Sequence, residues 1–388
     1  MDKKVLVVGN HVTSLNIIRQ LGKQGIDSYL THTTGVSIGR YSKYCKGFFK
    51  CPPFTKYGVL TEFLINLTKK NSDIANAILI PTNDDAVYAI SQNKNKLEKY
   101  FTVPVPEWEI INRASDKRIT LEIAKKAGVP IPKAIFPRDV NDMLAKIGNL
   151  KYPVVVKPAM GKKYYFAAGI KMHMANNIDE VKYYFDKVAE VMGEDKIIVQ
   201  EYIPGPMTEL YNYSTVMRNG EPNGIYTGKK LRQHPRDFGV GTAAKTVHDP
   251  VLSELGTRLF QACDYEGVGY IEFKKDPRDN HYKLIEINPR LWNFMDLAYK
   301  CGVDLPLNIY NYANNLKLTD GHIQGDMTWI HFWADFGDTL KEVLKGNESI
   351  FSYLKSLKGK KTFAVASFSD PLPFIMETLF LPYLIFKR

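Results

Sequence analysis

Cysteine is scarce: four residues in 388, at positions 45, 51, 263 and 301, with no CxxC pair among them. That spacing excludes a zinc knuckle and a disulfide framework, and it reads as reduced thiols in a cytoplasmic protein. No apolar run reaches the ~18–20 residues of a membrane span. The opening KVLVVG is too short for a signal peptide and reads as a strand. The glycine that follows it is not part of a GxGxxG fingerprint, which argues against a dinucleotide site there. No glycine loop ends in GK[ST], and no Ser-His-Asp or Cys-His constellation offers a protein nucleophile. A long basic block is missing too. The net charge is +11, from 52 Lys and Arg against 41 Asp and Glu, but the cations are spread along the chain. Small polyphosphates fit that distribution better than nucleic acid does.

What is present is material for two or three globular domains, with 45% hydrophobic and 24% charged residues. The first thirty residues read as strand, glycine turn, helix (13–23) and strand (28–31), the opening of a doubly wound sheet. Asn10 and His11 stand at the carboxyl end of the first strand, where such sheets place ligands. A helix over 58–70 and a strand over 77–80 follow, the latter running into Pro81-Thr82-Asn83-Asp84-Asp85. The two acids have two readings: they bind an amine, or they cap a helix beginning at Ala86. Residues 115–127 read as one helix with Ile119, Ile123 and Ala127 on its inner face and Lys117 in its first turn. A lysine there opposes the helix dipole unless a bound phosphate reverses the sign.

Residues 152–157 form a strand ending in Lys157. AMGKKYYFAAG, residues 159–169, reads as a small basic loop bounded by Gly161 and Gly169, able to close over phosphates. A helix over 178–192, a strand over 197–200 and a hairpin about Asn219-Gly220 come next. The basic run Lys229, Lys230, Arg232, His234, Arg236 follows, in which strand alternation puts Lys230 and Arg232 on one face. After it come a glycine loop at 238–242 and a helix over 250–263.

The most informative stretch is GYIEFKKDPRDNHYKLIEINPR, residues 269–290. Two strands, 268–274 and 282–288, flank Asp-Pro and Asp-Asn turn pairs. Pairing about Asp279 puts Glu272 opposite Glu286, with Asn288 on the same face as Glu286. Facing like charges destabilise a sheet unless neutralised. Two carboxylates and an amide oxygen suit Mg2+ that keeps other positions for water and phosphate. Residues 297–312 read as helical with a break at Pro306.

In this order the pieces resemble the ATP-grasp superfamily, over residues 1–315. Within it the chain is most similar to carboxylate–amine ligases of the D-aspartate ligase type, through GNHVTSLN, LIPTNDDAV, ASDKRITLEIAKKAGVPIP, VQEYIPG, EFKKD and EINPRLW. The resemblance implies an α/β fold, α+β in its catalytic part. A Rossmann-like domain (1–112) would precede an ATP-grasp domain (113–315) holding nucleotide between two α+β subdomains, one a lid at about 130–205. It implies ATP and two Mg2+ ions, replaceable by Mn2+. Glu272, Glu286 and Asn288 would bind the metal. Lys117, Lys157, Gly161, Lys162 and Gly169 would meet the phosphates. Glu201 and Ile203 would hold the adenine edge, and Glu209 the ribose. Arg290, with Lys230 or Arg232, would steady an acyl phosphate made from a small carboxylate and attacked by a small amine. The competing classes are an ATP-grasp kinase or carboxylase-like subunit, and a non-catalytic nucleotide-binding protein. Residues 316–388 form a C-terminal extension. It holds the aromatics Trp329, Phe332 and Trp333, and 374–386 is apolar apart from Glu377 and Thr378. Packing on its own domain or on a homodimer partner is favoured over a membrane surface.

Overall fold

The computed structural model describes residues 3–9, 11–235 and 239–386, without the side chains of His11, Met207 and 383–386. Asn10, Arg236 and Phe238, singled out above, lie outside the described residues, as does the side chain of His11.

Four parallel strands open the chain: β1 (Val5–Val8), β2 (Ser28–His32), β3 (Cys45–Lys50) and β4 (Ile78–Pro81), in spatial order β3-β2-β1-β4. The helices α1 (His11–Lys23), α2 (Tyr57–Lys70) and α3 (Asp84–Gln92) cover them, and α4 (Lys94–Leu97) follows. The unbroken apolar runs of β1 and β4 are buried throughout, as strands covered on both faces must be. Gly9 turns the chain from β1 into α1 at φ +142°. A Cβ there would lie 2.1 Å from Thr82 Oγ1, so only glycine fits.

Helices α5 (Trp108–Ser115) and α6 (Lys117–Lys126) lead out of this domain. The single helix expected over 115–127 is therefore broken at Asp116, whose extended backbone and side chain cap α6 by accepting from Arg118 N–H. The inner face of α6 is Thr120, Leu121 and Ala124; Ile119, Ile123 and Ala127 are only half-buried.

A second unit follows: β5 (Ala134–Ile135), α7 (Val140–Lys146), β6 (Val154–Pro158), α8 (Gly161–Ala168), β7 (His173–Ala175), α9 (Ile178–Met192) and β8 (Ile197–Glu201). Its strands make an antiparallel sheet ordered β5-β8-β6-β7 with its own core, including Val154, Phe185 and Val199. The stretch expected as a phosphate loop is thus largely the helix α8. Tyr164 buries one face of it and bonds His173, and Gly169, left-handed at φ 70°, ends it.

The remaining strands are β9 (Leu210–Arg218), β10 (Glu221–His234), β11 (Val240–Thr246), β12 (Gly267–Lys275), β13 (Tyr282–Asn288), β14 (Thr328–Ile330) and β15 (Lys361–Phe363). They form one seven-stranded sheet, β13-β12-β9-β10-β11-β14-β15, antiparallel except for β14 against β15. Helix α10 (Pro250–Ala262) packs on one side through Leu252, Leu259 and Phe260. On the other lie α11 (Met295–Lys300) and α12 (Leu305–Ala313), separated by a break that puts Pro306 in the first turn of α12. Trp292 stacks between Tyr226 and Tyr270, and Leu15 and Ile18 of α1 join that same core.

The C-terminal residues complete this sheet with β14 and β15 and add α13 (Phe332–Leu344), α14 (Ile350–Ser356) and α15 (Leu372–Phe386). Trp329 is fully buried against Phe294, whereas Phe332 and Trp333 pack on Phe374 of α15. Asp370 then reaches back to Arg19 of α1 at 2.8 Å, and both side chains are almost wholly buried.

Candidate active site

A cleft of about 900 Å³ opens where the carboxyl end of β4, the start of α6, the second unit's β6 and α8, and the end of β13 converge. Lys117, Lys157, Lys162, Glu286, Asn288 and Arg290 all line it. Each is placed by a local rule. Lys157 is the last polar position of a fully buried strand. Lys117 follows the capping Asp116. Glu286 and Asn288 share one face of β13 by the period of two.

The register of β12 against β13 puts Glu272 opposite Glu286, with a bulge immediately after Glu272. Each carboxylate has its own lysine. Lys230 Nζ lies 3.1 Å from Glu272, which also accepts from Tyr270 Oη at 2.8 Å. Lys117 Nζ lies 3.2 Å from Glu286, and Asn288 donates to Glu286 Oε1 at 3.1 Å. Burial alone would raise the Glu286 carboxyl; the Lys117 charge and the Asn288 hydrogen bond outweigh it and hold it down at about 2. Burial, and then the neighbouring Lys117, push Lys157 the other way, down to about 7, against a partial offset from Glu286.

Arg290 bridges two domains. Its Nη2 donates to Asn288 Oδ1 at 3.0 Å, and its Nε to Asp84 at the start of α3. Lys162 of α8 reaches the adjacent Asp85 at 2.5 Å and lies 3.9 Å from Asp84. The cap of α3 is Asn83, which accepts from Ala86 N–H, and the helix begins at Asp84 rather than at Ala86. Asp84 and Asp85 are left to face the cleft. Burial opposes ionisation of Asp84, but the charges of Arg290 and Lys162 prevail and its pKa is lowered. Tyr57, Tyr88 and Trp108 line the wall nearby, with Tyr88 and Trp108 edge to face at 5.6 Å. These aromatics carry no pattern in the sequence that marks them as cleft residues.

Other expected residues lie elsewhere. A bulge between Lys230 and Arg232 breaks the alternation that would have aligned them. Arg232 instead makes a two-pronged pair with Asp335 of α13, at 2.8 and 2.7 Å, away from Glu272. Glu201, Ile203 and Glu209 do not line the cleft. Glu201 accepts from Lys151 N–H, the Ile203 carbonyl takes Lys274 Nζ at 2.8 Å, and Glu209 accepts from Tyr211 Oη. Gly169 ends α8 and is also outside the lining.

Glu272, Glu286 and Asn288 offer only oxygen donors, with Glu286 held ionised, which fits a hard dication. Among the described residues no three His, Cys, Asp or Glu side chains are grouped so as to hold a metal ion by themselves. Phosphate oxygens and water would have to complete such an ion's shell.

A Rossmann-like domain, a four-stranded α+β unit and a larger antiparallel sheet that meet at a lysine- and carboxylate-lined cleft define the ATP-grasp class. Solved structures share the fold: N5-carboxyaminoimidazole synthetase from Staphylococcus aureus (TM-score 0.66, 14% identity, 89% of this chain and 86% of that one) and L-amino acid ligase from Bacillus licheniformis (0.61, 14%, 80% and 74%). The family described as "Carbamoyl-phosphate synthase L chain, ATP binding domain" matches residues 116–320, just over half the chain, and the protein belongs to it. Among characterised relatives, D-aspartate ligase of Enterococcus faecium is 26% identical over 250 residues. That is 62% of this chain but only 59% of the ligase.

Proposed function

We propose that this protein is an ATP-dependent carboxylate–amine ligase, forming an amide or peptide bond through an acyl phosphate. The observation that carries this reading is Arg290: beside Glu286 and Asn288 it already holds a carboxylate, that of Asp84. A substrate carboxylate exchanging with Asp84 would be fixed next to the phosphate-directed lysines. The 26% identity to a D-aspartate ligase supports an amino acid or peptide precursor as substrate.

In this mechanism Lys117 and Lys157 bind phosphate oxygens, with ammonium charge meeting charge that grows on transfer. Glu272, Glu286 and Asn288 would hold magnesium, which would supply neutralisation of the phosphate charge. Lys230 holds the Glu272 carboxylate in place opposite Glu286. The carboxylate oxygen attacks the γ-phosphorus and ADP leaves. The amine nitrogen then attacks the acyl carbon, and inorganic phosphate and one proton are lost. Arg290 holds the acyl phosphate between the two steps. The lid, tied down by Lys162 to Asp85, excludes water that would hydrolyse the intermediate.

The test is phosphate release from Mg-ATP with pooled amino acids, followed by mass spectrometry. Release that needs a particular pair, with a product of their summed mass less water, supports the reading. Glu286→Gln should abolish that release; unchanged ADP formation in this variant would refute the metal assignment.

A further inference from the structure

A surface helix buries one stripe and shows water a polar one. Helix α15 departs from this. Its inner side is used up: Phe374 stacks on Trp333, Glu377 binds His331 at 2.8 Å, Thr378 accepts from Trp333 Nε1 and Phe380 meets Tyr41. Its outer side carries Leu372, Ile375 and Leu379, the last 65% exposed. The neighbouring helices repeat the pattern. Phe351 of α14 is 80% exposed, and Leu340 and Leu344 stand one turn apart on α13. Phe336 against Tyr353 and Phe332 against Phe374 join the three helices into one cap.

The exposed charge on this cap is positive. Lys341, Lys345, Lys355, Lys358, Lys360 and Lys361 are all exposed, and none of the acids Asp335, Asp338, Glu342, Glu348, Asp370 and Glu377 is; only Lys345 of these lysines is shown paired, to Glu342 at 3.0 Å. The lysines share turns with the apolar residues: Leu340 and Leu344 sit next to Lys341 and Lys345, and Phe351 and Leu354 neighbour Lys355. This is how ammonium groups stay wet at an interface while their stems lie against apolar matter.

We infer that the α13–α15 cap docks on an anionic lipid surface. A second copy of the chain fits poorly, since a two-fold contact would set six lysines against six. Scattered, protruding apolar side chains, with lysines beside those of α13 and α14, enter a headgroup layer without needing a complementary groove. No helix among the described residues is long and apolar enough to cross a membrane, so the contact is one of lying on the surface.

The test is flotation of the full chain with vesicles of phosphatidylcholine alone and with about one-third phosphatidylglycerol. Expected is flotation with the anionic vesicles only, largely lost at about 0.5 M salt. Lys355→Gln/Lys358→Gln/Lys360→Gln should weaken partitioning by about 100-fold. Phe351→Ser/Leu379→Ser should lower it at every salt concentration. Both variants alter exposed positions, and an unchanged far-ultraviolet spectrum and thermal midpoint establish that they fold. Absence of flotation, equal flotation on both vesicles, or a lysine variant that floats like the parent overturns the inference. So does a dimer by light scattering that Phe351→Ser dissociates in a protein that does not float.

Discussion

Lys157 gives the sharpest test of how the cleft works. Its side chain is buried on a strand, and burial and Lys117 bring it down to about 7. A lysine lowered in the folded state costs stability at pH values where the unfolded chain would hold its proton, and the cost eases as pH rises through 7. A triphosphate against the ammonium reverses the balance and restores the charged form. Nucleotide binding should therefore take up a proton. With a free pKa of about 7, uptake is about 0.9 proton at pH 8 and about 0.1 at pH 6. Affinity for the magnesium nucleotide should fall about 25-fold between pH 6.5 and 8.5. Titration calorimetry at pH 8 in two buffers of different ionisation enthalpy reads the proton count directly. Mg-ATP is fully ionised at that pH, so the proton enters the protein. Buffer-independent heat at pH 8 would refute the reasoning. Lys157→Met should stabilise the empty protein by on the order of 2–4 kcal/mol at pH 7 while removing nucleotide affinity.

Arg19→Ala strands the buried Asp370 carboxylate and should cost about 3–5 kcal/mol in chemical denaturation. Gly256 abuts the Tyr213 ring, where a new Cβ would lie 2.2 Å from Cγ; Gly256→Ala should destabilise by about 1–3 kcal/mol, read as a shift in denaturation midpoint. Asp85→Asn removes the charge that holds Lys162. Because that lysine is partly exposed, amide exchange across Gly161–Ala168 should quicken only about two- to fivefold by mass spectrometry. Unchanged exchange would show that the contact does not hold the lid.

The pairing of Glu272 with Glu286 was legible because a strand period of two and one turn fix register locally. The break between α11 and α12 was legible from Pro306. Helix α8 was not. Two flanking glycines suggested a loop, but Lys and Ala favour helix, and burial of Tyr164 on the lid core selects it. Arg232 was misplaced because the register shifts on both sides of it, after Lys230 and again before Gln233, and no residue type announces those irregularities. The Arg290–Asp84 and Lys162–Asp85 pairs join positions 206 and 77 residues apart. Such partners follow from how domains dock, which periodicity does not encode.

The Arg19–Asp370 bond has a consequence for how the chain is made. Its two ends are 351 residues apart, so all the chain between them must leave the ribosome before Arg19 meets its carboxylate. Until then Arg19 and the apolar side of α1 wait for partners from α11, β14 and the stretch around Val365. Such late, long-range contacts are the slow part of folding. The domain that holds α1 is thus finished only after the elements that follow it have been made. A premature stop only a few codons before Asp370 would keep those partners and still leave the buried Arg19 without its carboxylate.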